Sequence, residues 1–72
     1  MKNRELSEDI SRRLLEVSRQ LNESIFAAQG QCSDEEFNDY RRHIGILMGN
    51  LYADILRPLW QEHPDLKPSE ME

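Results

Sequence analysis

His43 is the residue best placed by type and spacing to do chemistry. Asp39 lies four residues before it and Glu36 seven, so on a helix the three share one face. One imidazole with two carboxylates suits a divalent metal, above all if a two-fold axis doubles the set. Against this, a His and an Asp four residues apart commonly form an ordinary surface ion pair. The paired Glu-x-x-His motifs of di-metal bundles do not occur in the sequence. The ion pair is the preferred reading, and neither a metal nor a cofactor is expected.

Cys32, the single cysteine, falls one residue before a helix start, where a thiol pKa can be lowered. No His or Asn is placed by sequence to complete a Cys–His nucleophile, and Asp34, Glu35 and Glu36 oppose a thiolate. There is no glycine-rich phosphate loop and no ordered Ser/His/Asp set. An enzyme is not expected.

Seven of the nine basic residues are arginine, the side chain suited to bidentate contacts with phosphate or carboxylate. Arg12, Arg19 and Arg41 can line one face of a helical bundle, which gives one functional alternative: an RNA-binding regulator using surface arginines. The net charge of −5 disfavours nucleic acid as the default partner. A solvated, salt-bridged surface is the preferred reading of these arginines.

Two helices must position all of these groups. Leu6, Ile10, Leu14, Val17, Leu21, Ile25 and Ala28 recur at spacings of three and four, which predicts a helix over about 6–29 with one core-facing stripe. Gly30 is a stop signal suited to a left-handed C′ position. Then "SDEE" places Ser33 as N-cap with Glu36 at N3, a capping box. A connection over 30–33 forces the two helices antiparallel, as an αα-hairpin.

The second helix is expected over about 34–63, with Phe37, Tyr40, Ile44, Leu47, Met48, Leu51, Ile55 and Leu59 as its main stripe. Pro58 cannot donate to the carbonyl of Asp54, so a kink is expected near 54–57. Pro64 and Pro68 mark the end, and residues 64–72 are expected to be a disordered acidic tail. The hairpin, residues 1–63, is thus the one domain of a 72-residue chain.

A second set follows beside the main stripe: Gly45, Ile46, Gly49, Tyr52, Ala53, Leu56 and Trp60. Each glycine costs ~1 kcal/mol relative to alanine inside a helix. Gly45, Gly49 and Ala53 form one i,i+4 ridge, and small residues on a ridge let two backbones approach closely. One hairpin partner cannot cover so much apolar circumference. Nor does a core of this size supply more than ~3–5 kcal/mol without disulfides, metal or oligomerisation. The expected architecture is all-α, an antiparallel helical hairpin dimerising into a four-helix bundle. The expected dimer interface is Gly45, Gly49, Tyr52, Ala53, Leu56 and Trp60. The alternative use of the glycines is to admit large side chains from the first helix within one chain.

The expected setting is soluble and cytoplasmic. "MKNRELSEDISRR" carries charges where a secretory signal needs an apolar run. The longest uncharged apolar stretch, Ile44 to Ala53, is about half the length of a membrane span. A lone cysteine agrees with a reducing compartment. Together these features point to a small non-enzymatic homodimer acting as a protein–protein interaction or regulatory module. Phe26, Met48, Tyr52, Leu56 and Trp60 are the side chains available to a further protein partner.

Overall fold

The computed structural model of the chain describes residues 1–68. Among them the architecture is all-helical, in the order α1 (Arg4–Ala28), α2 (Asp34–Leu51), a π-helical turn (Tyr52–Leu56), α3 (Arg57–Glu62) and a 3-10 turn (Pro64–Leu66). Helix α1 starts two residues before the sequence-based estimate because Asn3 caps it, its side chain accepting from Leu6 N–H at 3.0 Å. It ends where Gly30 takes φ +78°, a conformation that costs other residues a steric clash. The capping box at the head of α2 is formed. Ser33 Oγ accepts from Glu36 N–H at 3.2 Å, and the Glu36 carboxylate accepts from Ser33 N–H at 3.4 Å. The two long helices lie against each other as a hairpin.

What fills the seam differs from the expected stripe. The most buried side chains of α1 are Ser7, Ser11 and Ser18, while Leu6 and Val17 are exposed. Three aromatics of the second arm each hydrogen-bond a serine of α1. Tyr40 Oη pairs with Ser24 at 2.7 Å and Tyr52 Oη with Ser18 at 3.1 Å. The Trp60 indole N–H donates to Ser11 Oγ at 3.0 Å. The serines provide depressions into which large rings fit, and their hydroxyls satisfy the polar tips of those rings. Ser7 is held differently, its hydroxyl donating to Asn3 C=O at 2.8 Å.

The π turn sets the register of the distal half. Pro58 has no N–H for the Asp54 carbonyl, and Arg57 N–H reaches back to Tyr52 C=O instead. The turn thus gains one residue, and the side chains beyond it rotate backward relative to a straight α-helix. Leu56 is 0 % exposed, whereas Ile55, assigned to the core stripe by periodicity, is 45 % exposed. The expected kink at 54–57 is realised as this wider turn within an otherwise continuous helical arm.

Leu56, Leu59 and Trp60 make the buried cluster, with Ile10, Leu14, Leu15, Leu51, Tyr52 and Leu66 packed around it. Leu66 belongs to a segment expected to be disordered. Residues 64–68 instead fold back as a strap: Asp65 pairs with Arg4, and Leu66 N–H donates to His63 C=O at 3.0 Å. The apolar side chain of Leu66 gains burial against the Leu56, Leu59 and Trp60 cluster, which a purely compositional reading of an acidic tail overlooks. Residues 69–72 of that expected tail lie outside the described residues.

Candidate interaction surface

The hairpin measures 45 × 20 × 17 Å with a radius of gyration of 14.5 Å, against about 11 Å for a compact domain of this length. Two helices side by side form a single layer, and a layer has two broad faces. Here the two faces are unlike.

One broad face carries the strap. Leu15 and Ser18 of α1, Met48, Tyr52 and Pro68 line a shallow hollow there. Tyr52 and Trp60 rings pack beneath, their centroids 6.1 Å apart and tilted by 51°. Phe26, 65 % exposed, projects from α1 beyond the end of the strap. Advancing about 100° per residue places it on the same side as Leu15.

The opposite broad face is bare. On α1, Leu6, Val17, Leu21 and Ser24 fall on one side of the helix at that same spacing. On α2, Tyr40, Leu47 and Leu51 do likewise, and the π turn brings Ile55 into line with them. The Ser24–Tyr40 hydrogen bond joins the two sets, so they adjoin across the seam on one side of the layer. Val17 is 45 % and Leu47 51 % exposed. Reading each helix as having one core-facing stripe places Leu6, Val17, Tyr40, Leu47 and Ile55 inside, whereas they are exposed. The signal was present: Ser7, Ser11, Leu14, Ser18, Leu21, Ile25 and Ala28 follow an alternating four-three spacing, which marks the true seam once serine is admitted as an interior residue.

The residues predicted for a dimer interface divide into two groups. Leu56 and Trp60 are buried inside the chain, and Tyr52 is half-buried with its hydroxyl on Ser18. Gly45, Gly49 and Ala53 are exposed on the second arm. A Cβ built on Gly45 or Gly49 meets nothing within 4 Å, so these glycines do not admit side chains from α1.

The sites considered for chemistry are dispersed. Glu36 is committed to the Ser33 cap, and His43 Nδ1 lies 2.7 Å from the Asp39 backbone carbonyl and 3.6 Å from its carboxylate. Among the described residues no three His, Cys, Asp or Glu side chains gather as a metal site. Cys32 is exposed, its Sγ 3.6 Å from Ala28 C=O.

The arginines are largely paired within the chain. Asp9 pairs with both Arg12 and Arg13, and Arg19 bridges Glu16 and Glu23. Arg42 pairs with Asp39, and Arg41 lies over the Phe37 ring at 6.0 Å. Hydrogen bonds from Arg13 hold the Asp9 carboxyl below its ordinary pKa, and Arg19 does the same for Glu16. Carboxylates so close to the guanidinium groups cancel much of the positive field that phosphate recognition requires. Among the described residues no helix is long and apolar enough to cross a membrane. Comparison with protein-family models, with curated proteins and with solved structures finds no match to the chain.

Proposed function

We propose that the protein is a small non-enzymatic homodimeric module, two hairpins closing into a four-helix bundle that acts through protein contacts. The observation that carries this reading is the distribution of apolar side chains. The seam within one chain is lined by Ser7, Ser11 and Ser18, while Leu6, Val17, Ile46, Leu47 and Ile55 are turned to solvent on one or other helix. A single layer of two helices leaves such side chains without a second layer to cover them. The internal pairing of the arginines favours this reading over the RNA-binding alternative. The reading also keeps the setting expected from the sequence, a cytoplasmic one.

The test is the mass of the full chain by light scattering across a micromolar concentration series. The expected result is twice the chain mass of 8.5 kDa, falling toward one chain on dilution. A mass of one chain throughout refutes the proposal. A salt-sensitive gel shift with structured RNA, abolished by Arg12→Ala with Arg19→Ala, would favour the alternative.

A further inference from the structure

Resting on the reading of the chain as a module that acts through protein contacts, we infer that the hollow between α3 and the strap docks an acidic peptide segment of a protein partner. Arg57 and Lys67 hold its carboxylates, and the floor formed by Tyr52, Ala53 and Trp60 takes an apolar side chain beside them.

Three observations carry this. The first is charge. Arg4, Arg12, Arg13, Arg19 and Arg42 each pair with a carboxylate of the chain, and Arg41 lies over the Phe37 ring. Among the described residues Arg57 and Lys67 have no carboxylate in ion-pair reach, and Asp54, three residues before Arg57, makes no such pair with it. Yet the two line one hollow: Arg57 opens α3, and the fold-back of the strap brings Lys67 to the same rim. At physiological salt the screening length is about 8 Å. These two cations, rather than the net −5 of the whole chain, therefore set the field that an approaching carboxylate meets.

The second observation is the floor. Tyr52 Oη is bonded to Ser18 and the Trp60 indole N–H to Ser11, so the polar tips of both rings are already satisfied. The hollow is open, about 410 Å³, which admits one apolar side chain and the acidic neighbours flanking it. The third observation separates peptide from nucleic acid. Trp60 is 8 % exposed and offers no free face on which a base could stack. Two cations are also too few for the row of phosphate contacts on which nucleic-acid binding rests. A short acidic segment needs no more than these two.

The probe is the acetylated and amidated peptide Glu-Leu-Glu-Glu-Leu-Glu, titrated into the full chain and followed by the fluorescence of Trp60, the single tryptophan. The expected Kd is below about 1 mM. It should rise about tenfold in Arg57→Gln with Lys67→Gln, and it should also rise in high salt. Both side chains are exposed, so the double variant retains the hairpin, which circular dichroism checks. Arg41→Gln, outside the hollow, should bind as the natural chain does. No binding up to about 1 mM, or equal binding by the double variant, overturns the site. Equal binding of Gln-Leu-Gln-Gln-Leu-Gln, or of a short single-stranded DNA of the same charge, overturns the acidic peptide as its occupant. A natural chain that binds only after Glu70→Gln with Glu72→Gln gives the hollow to its own end and overturns the partner. Light scattering in the same buffer keeps the two readings apart. A doubled mass without peptide binding removes this site and leaves the homodimer, and peptide binding by a chain of single mass does the reverse.

Discussion

The Trp60 indole N–H donates to Ser11 Oγ at 3.0 Å across the seam, and both side chains are buried. This bond pins α3 against the N-terminal half of α1. Ser11→Ala should leave the indole N–H buried without an acceptor, at a cost of about 1–3 kcal/mol. Trp60→Phe removes the donor, and the double variant should be less unstable than the two single losses combined. Urea unfolding of the four chains gives the coupling directly. A coupling indistinguishable from zero would show that the pair contributes by packing alone.

The π turn exchanges the roles of two neighbouring residues. Leu56→Ala should cost about 2–5 kcal/mol, as for a core leucine. Ile55→Ala should change the unfolding free energy of the dissociated chain by less than about 0.5 kcal/mol. Both are read by urea unfolding at the lowest usable protein concentration. Comparable losses at the two positions would indicate a straight α-helix through Pro58, with the core shared between them.

The hairpin itself was legible because its signals are local. Gly30, Ser33 and Glu36 lie within seven residues, and each acts through backbone geometry that the residue type dictates. The composition of the seam was harder to read because serine counts as polar in a periodicity argument. Beside a tyrosine or tryptophan, however, it is a small interior residue with one hydroxyl to pair, and Ser11, Ser18 and Ser24 serve in that way. Counting apolar residues alone therefore drew Leu6 and Val17 inward. The placement of Leu56 depended on how the chain absorbs Pro58. A proline announces a lost hydrogen bond without saying whether a bend or a wider turn follows.

The glycines give a sign-dependent prediction. Nothing lies within 4 Å of a Cβ at Gly45 or Gly49, so alanine at either position should stabilise the chain by ~1 kcal/mol through helix propensity. For a chain of this length that is a rise of about 4–8 °C in Tm. Gly30→Ala should act oppositely, because φ +78° costs an alanine ~1–2 kcal/mol. Thermal melts of the three variants decide it. A fall in Tm with either helical alanine would mean that another backbone lies on that ridge.

The strap should loosen in acid. Hydrogen bonding to Arg4 holds the Asp65 carboxyl below its ordinary pKa, and the N-terminal ammonium does the same for Glu62. A carboxyl whose folded pKa is depressed contributes stability in full above its unfolded value, about 4. That contribution is lost as pH falls through the folded value. Tm should therefore hold steady from neutrality down to about pH 5 and decline below about pH 4. Asp65→Asn should melt earlier than the natural chain at pH 7. The gap should narrow as pH falls through the acid range, where both carry an uncharged side chain at position 65. It should also shrink in high salt, since Arg4 and Asp65 are exposed. An Asn variant whose deficit persists unchanged to the lowest pH would mean that the strap is held by Leu66 packing, with the ion pair idle.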